Sequence, residues 1–376
     1  VLTRHFHVPG GKAGVSMVVA AVEGDIRIDG DRAYAVSGDN ALGCRLGGDT
    51  DDLQLQHRDN RLYLDIPETF KGIYSVSIFR GAKDALDTFL NGKLEESALL
   101  GIEELAKGGP RRWQETFTTQ GKLSDQQGAY VLDDLPAPIR PYGSWMRLSA
   151  IDFFDDGRAA VATLPGDVWI VSWDDKDISK ITWQRYATGL YEPLGLKVVD
   201  GKIYVRGRDR ITRLHDLNDD GEADYYENFF SEGPVGPGYH AFVFDLNTDE
   251  DGNFWFVKSG RKGPSIGEVF KVDPRGKEYE IIATHFRHPN GMGIGGPNNW
   301  VTIADNADGK FPAGASIVRE GQSYGWGGPL TQPMLYVLPP KVDTSSGSQC
   351  WADKKRFGPL GGAIIHTSYS TSSTSY

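Results

Sequence analysis

The sequence predicts an all-β chain: a β-propeller, six-bladed, preceded by an N-terminal β-rich accessory domain. Two observations carry the prediction. Four successive segments repeat one pattern, an apolar strand, a turn built on Asp, Gly or Asn, and a second apolar strand. Their turn glycines Gly157, Gly201, Gly252 and Gly296 stand 44, 51 and 44 residues apart, the spacing of propeller blades. The 376 residues also hold 47 glycines, 9 Trp and 16 Tyr, a composition of many turns and aromatic-packed strands.

Residues 1–135 form the accessory domain and connector in this reading, and 136–376 the blades. DIRIDGDRAYAVSG and LQLQHRDNRLYLDIPE alternate apolar and polar residues around Asp-Gly and Asp-Asn turns, a hairpin pattern. SVSIFRG adds a short strand. DALDTFLNGKLEESALLGIEELAKGG (84–109) is the one helical stretch, with Leu86, Phe89, Leu90, Leu94, Leu99 and Leu100 near helical spacing. An extended connector follows, stiffened by Pro136, Pro138 and Pro141.

The blade repeat begins at Met146. RLSAIDFFDDGRAAVATLPGDVWIVSWDD, EPLGLKVVDGKIYVRGRDRITRLHDLNDDG, YHAFVFDLNTDEDGNFWFVKSG and HPNGMGIGGPNNWVTIADNADG are the four clearest units. The chain from 146 to 376 has room for about five such blades, and a ring takes four to eight. Either the N-terminal module completes the ring or the chain is a piece of a longer protein. The Ser/Thr-rich end, HTSYSTSSTSY, reads as a further strand or a disordered tail.

A net charge of −11 argues against nucleic acid, which needs clustered Lys and Arg. No apolar run is long enough to span a membrane. The start, VLTRHFHVPGG, lacks signal-peptide character, so the chain is cytosolic or a mature secreted form. Cys44 and Cys350 form no CxxC motif and either pair or stay as thiols. Nucleophile elbows, phosphate loops and HExxH are absent.

The sharpest local motif is DLNDDGEAD. Asp216, Asn218, Asp220 and Asp224 place oxygens at positions 1, 3, 5 and 9 of a calcium-type loop, with Gly221 at the sharp turn and Glu227 at position 12. Glu222, inside the same loop, completes the candidate ligand set for a structural Ca2+; a solvated turn is the plainer reading. FDLNTDEDGNFWF is a weaker copy that a polar hairpin turn explains.

His240 follows a Gly/Pro loop and precedes a blade strand, where a histidine suits general-base work on a hydroxyl; holding neighbouring loops together is the plainer role. Arg287, in THFRHPNGMGIG, offers a planar guanidinium to a carboxylate or quinone oxygen, beside His285, His288 and Asn290. Two apart on a strand, His285 and Arg287 would share a face. Arg206 and Arg208, with Lys258 and Arg261 one blade later, are expected to rim the axial pocket as anion acceptors, or else to form a solvated edge.

With these residues in view, the blades resemble the soluble quinoprotein sugar dehydrogenases, the glucose/sorbosone dehydrogenase-like propellers that use pyrroloquinoline quinone (PQQ). Residues 107–376 look closest to secreted putative membrane-bound dehydrogenases, often followed by a cytochrome c domain. GGPRRWQETFTTQG, DFFDDGRAAVATLPGDVWIVS and ITRLHDLNDDGEADYYENF carry that likeness. The resemblance implies His240 and Arg287 as catalytic residues, the base and the group that polarises the quinone oxygens. His288 replaces the family's Asn after that Arg. Asp305 and Asn306 match the strand end that follows, and Tyr324-Gly325-Trp326 a further family segment; with Asn290 and His288, Asp305 and Asn306 are taken as cofactor-binding. The resemblance implies a sugar or other alcohol as substrate, electrons passed to a cytochrome c, and a periplasmic or secreted location. The rivals are a lyase or hydrolase acting on an acidic polysaccharide, and a non-catalytic propeller that binds glycan or protein.

Overall fold

In the computed structural model the described residues are 1–10, 14–22, 24–93, 106–233, 235, 241–259, 267–296, 298–306 and 312–376. They form two compact units, Val1–Gly109 and Pro110–Tyr376. The boundary placed at 135 thus falls inside the second unit, because Thr116–Thr119 is the outer strand of its first sheet, paired with Asp177–Ala187.

The first unit holds a five-stranded and a three-stranded antiparallel sheet. Leu46, Leu62, Leu64, Tyr74 and Val76 form its core, with the Cys44 thiol buried among them. The expected Asp-Asn hairpin joins Gln54–Arg58 to Arg61–Ile66. Asp59 and Asn60 both take positive φ, 51° and 55°, as the tight turn of a right-twisted hairpin requires. Of the predicted helix, Leu86–Asn91 is helical after a 3-10 turn at Lys83–Ala85; residues 94–105 lie outside the described set. Cys44 and Cys350 are both free thiols, and burial pushes the Cys44 thiol up to about 12.

The second unit is a β-propeller. Among the described residues it has five sheets, the number the length allowed, where six blades were expected. Blade I is Leu148–Phe153, Ala159–Thr163, Val168–Asp174 and Asp177–Ala187; blade II is Gly195–Val199, Lys202–Arg206, Ile211–His215 and Tyr225–Phe230. Blade III is Val243–Thr248, Phe254–Lys258, Glu268–Val272 and Tyr279–Thr284; blade IV is Pro289–Gly295, Trp300–Asp305, Gly314–Ile317 and Tyr336–Val337. The C-terminal segment is ordered as blade V: Ser346–Trp351, Ile364–Ser368 and Ser373–Ser375.

Within each blade successive strands pair antiparallel, and the innermost strand of each blade packs on that of the next. The sheet faces alternate sides: Ala160, Ala162 and Val168 of blade I meet Leu196, Ile203 and Leu214 of blade II. Tyr204 and Ile211 of blade II meet Val243, Phe254 and Phe256 of blade III. This period-2 division of each strand between two cores is what the near-continuous apolar runs encode. Blades IV and V meet differently, Gly291, Gly293, Gly295 and Gly296 lying against Ser348–Trp351. A Cβ on Gly291, whose φ is +121°, would stand 2.9 Å from the Ser348 carbonyl carbon, so the close approach requires glycine.

Candidate functional site

The antiparallel registers sort the loops between two ends of the propeller. The starts of the inner strands lie at one end, together with the 207–210 turn. The turns 154–158 and 200–201 and the 216–224 loop lie at the other.

At the first end all five blades contribute to one cavity of about 620 Å³. Arg147 comes from blade I, Leu194 from II, Phe242 and Phe244 from III, Arg287, His288, Asn290 and Asn306 from IV, and Thr344 and Ser345 from V. In a chain of net charge −11, this lining holds two arginines and a histidine and, among its described residues, no carboxylate.

The blade IV side is set from below by Asp305, which is fully buried. Its Oδ2 accepts the backbone N–H of Arg287 at 2.7 Å, and its Oδ1 those of His288 at 2.7 Å and Asn306 at 2.9 Å. Burial pushes the Asp305 carboxyl up to about 6, while the three N–H donors and the Arg287 charge pull it back down. The strand end after the Arg-containing loop thus fixes that loop's backbone. The Arg287 guanidinium donates to the Asn306 carbonyl at 3.3 Å and lies over the Trp326 ring at 5.4 Å. His288 meets Phe244 edge-on, centroids 5.3 Å apart. Asn290 donates to the Ser346 carbonyl at 2.9 Å and ties blade IV to blade V.

Other expected residues lie elsewhere. His240 and Arg261 fall outside the described residues; the strand after His240, Val243–Thr248, is the inner strand of blade III. His285 and Arg287 do not share a strand face, because residues 285–288 precede the strand and His285 takes φ +64°. Its Nδ1 instead meets the Thr284 and Ser323 hydroxyls at 2.7 and 3.0 Å.

Arg206 and Lys258 are absent from the cavity lining. Arg206 is completely buried against Glu232 and lies 4.1 Å over the Phe256 ring, and Lys258 Nζ reaches Glu232 at 3.2 Å. These cations neutralise one buried carboxylate, as burial of charge demands. Arg208 stands closer to the cavity. It bonds Glu192 at 2.9 Å and the Ala241 carbonyl at 3.0 Å, and sits 5.3 Å over Phe242.

The 216–224 loop lies at the opposite end, beside a second cavity of about 570 Å³. Asp216 accepts the N–H groups of Asp220 and Gly221 at 3.2 and 2.7 Å, Asp220 that of Glu222 at 3.0 Å, and Asp224 that of Leu217 at 2.9 Å. Two of the expected ligands point elsewhere. Glu222 accepts the Arg112 and Trp113 N–H groups at 2.7 and 3.2 Å and Arg112 Nε at 3.0 Å, and Glu227 pairs with Arg213 and His215 at 2.6 and 2.7 Å. No cluster of three or more His, Cys, Asp or Glu positioned for a metal occurs among the described residues. Asp216, Asn218, Asp220 and Asp224 are the ligand candidates that remain within the loop, and an ion there would lie at the end opposite Arg287.

Sequence reasoning misses Arg147, Phe242, Phe244 and Ser345. Aligning the repeats on their strand starts finds them: Arg147 precedes the blade I inner strand as Arg287 precedes that of blade IV.

No family model and no curated protein matches the chain. Among solved structures, a glucose dehydrogenase has a TM-score of 0.50 at 12% identity, covering 61% of this chain and 81% of that one. An oxidoreductase described as a glucose dehydrogenase, from Thermus thermophilus, gives 0.45 at 17%, covering 59% and 75%. The holo PQQ domain of pyranose dehydrogenase from Coprinopsis cinerea gives 0.45 at 8%, covering 71% and 79%. At 12% identity the first likeness is one of fold: it supports the β-propeller and by itself carries no activity.

Proposed function

We propose that this chain is a quinoprotein oxidoreductase that oxidises a sugar or another alcohol at the blade-start cavity. The observation that carries the reading is the lining itself: a cationic cavity fed by five blades, with no carboxylate among its described lining residues and its Arg287–His288 loop fixed by buried Asp305. Fold alone would not license an activity.

The residues fit PQQ, a flat anionic ring system with several carboxylates. Phe242, Phe244, Leu164 and Leu194 give apolar walls, and Arg287, Asn290 and Asn306 give donors on one side. Those three residues would hold the quinone, which when bound supplies the two-electron acceptor for a substrate carbon. The chain's own part is to bind, orient and move a proton. Arg287 and the amides place charge where oxygen becomes more negative. His240 takes the substrate hydroxyl proton in this reading, and His288, in the cavity lining, orients the hydroxyl. In this reading a cytochrome c, in the periplasm or outside the cell, would be the electron acceptor.

A Ca2+ ion in the 216–224 loop would be structural, bracing the outer strands of blade II at the far end. The test is reconstitution of the purified chain with PQQ and Ca2+, followed by dye reduction with a panel of sugars. Reduction by at least one sugar, lost in Arg287→Gln, is expected. Ultraviolet absorbance from unsaturated uronates without dye reduction would favour a lyase, and glycan binding without either reaction a binding module.

A further inference from the structure

The cavity has two chemically different sides. The blade IV side carries Arg287, His288 and Asn290. Across the axis, the blade I and V side carries Arg147, Thr344, Ser345 and Tyr369. Arg147 is exposed and, among the described residues, forms no ion pair; its guanidinium lies 5.1 Å over the Trp145 ring. Trp145 and Tyr369 are themselves 67% and 81% exposed. Tyr369 lines the cavity and Trp145 stands beside the lining Arg147, so both aromatic rings are open to a ligand seated there. An exposed indole beside an exposed guanidinium and two hydroxyl-bearing residues matches one ligand chemistry closely: a ring with an apolar C–H face, hydroxyls at its edge and a carboxylate.

We propose that this side binds carboxylate-bearing sugars, hexuronates above neutral hexoses. Arg147 pairs with the carboxylate and Trp145 stacks on the ring. The inference rests on the cavity being a sugar site and specifies its substrate class. Two parallel N–H···O bonds from a planar guanidinium to a carboxylate are charge-assisted, and those to the hydroxyls of a neutral sugar are weaker. Among the described lining residues no carboxylate stands to repel an anion, while Arg147 attracts one.

The experiment is calorimetric titration of the full chain, without quinone, with glucuronate, glucuronate methyl ester and glucose. Glucuronate is expected to bind about tenfold more tightly than glucose, a difference of about 1.4 kcal/mol, and the ester to match glucose. Arg147→Gln should erase the preference, and Trp145→Ala should weaken all three ligands together. The preference should shrink as salt rises. Equal binding of glucuronate and its ester, no binding of any of the three, or a preference that survives Arg147→Gln would overturn the proposal. The ester comparison leaves the protein unaltered and stands even where a variant fails to fold. A separate PQQ titration of the unaltered chain decides the quinone reading, so the two can fail independently.

Discussion

Removing the Asp343 carboxylate should cost the propeller several kcal/mol. Asp343 lies fully buried in the segment that leads into blade V. It accepts the hydroxyls of Ser346 at 2.8 Å, Ser368 at 2.7 Å and Ser370 at 3.1 Å, the Ser345 N–H at 2.8 Å and His366 Nε2 at 2.8 Å. The arrangement places a proton on His366 Nε2 and leaves Nδ1 facing the Gln349 amide at 3.4 Å. A serine, a histidine and an aspartate meet here, but the serines bond the carboxylate and not the imidazole. The cluster is a brace and not a nucleophile relay. In Asp343→Ala the three hydroxyls can rotate to other acceptors, as Ser368 and Ser370 already touch at 3.1 Å. The Ser345 N–H and the His366 Nε2–H cannot. The buried His366 donor and the part-buried Ser345 N–H, at roughly 1–3 kcal/mol each, give a loss of about 2–6 kcal/mol, the Ser345 share falling at the low end. Asp343→Asn keeps one acceptor and should lose about half as much.

The sign of the pH dependence follows from the same contacts. Burial raises the Asp343 carboxyl, but the bonds from Ser368, His366 and Ser346 outweigh it and hold it below the usual range. Its stabilisation is therefore present above the unfolded value, about 3.9, and is lost as pH falls through the lower folded value. Urea denaturation at pH 7, with amide exchange of Ile364–Ser368, measures the effect, and the gap between wild type and Asp343→Asn should narrow below about pH 4. A loss under about 1 kcal/mol in Asp343→Ala, or unchanged exchange in that strand, would show that the carboxylate does not brace blade V.

Three further outcomes are expected. Glu222→Ala should lower the melting temperature by removing three bonds to Arg112 and Trp113, yet leave any Ca2+-induced rise intact; Asp216→Asn should abolish that rise, and a rise surviving in Asp216→Asn would remove the ion from this loop. Gly291→Ala should cost more than about 2 kcal/mol, because its Cβ would meet the Ser348 and Gln349 backbone and not a movable side chain; a smaller loss by denaturation would show that blades IV and V can separate. Burial raises the Asp245 carboxyl to about 7, with the Gly291 and Met292 N–H groups opposing. A folded value above the unfolded one means stability is lost as pH rises from about 4 to 7, and Asp245→Asn should flatten that part of the curve; an unchanged slope would rule the group out.

The blades are legible in the sequence because their signals are local. Asp-Gly turns between apolar runs fix the inner hairpins, and Gly157, Gly201 and Gly252 all take positive φ there. The outer strands are less visible, since Thr116–Thr119 pairs with Asp177–Ala187 across a long sequence gap; that is why sequence alone places the boundary too late. At the site, Arg287, His288, Asn290, Asp305 and Asn306 read as neighbours because all lie on blade IV. Arg206 and Lys258 are misplaced for a different reason. Alternation shows that residues share a face, but it does not show that Glu232 waits beneath them. Arg147 escapes notice because Thr344, Ser345 and Tyr369, which share its side of the cavity, lie far along the chain in blade V. Glu222 counts as a ligand by spacing alone, which cannot reveal a partner such as Arg112, 110 residues away.

The proposed quinone site is the blade-start cavity, centred on Arg287. Its most direct measurement is equilibrium titration of the full chain with PQQ, followed by absorbance, in the wild type, Arg287→Gln and Asp216→Asn. Saturable one-to-one binding that Arg287→Gln weakens at least about tenfold, an energy of about 1.4 kcal/mol, and that Asp216→Asn leaves alone is the predicted result. No saturable binding in the wild type, or equal binding in Arg287→Gln, would rule out a quinone site centred on Arg287.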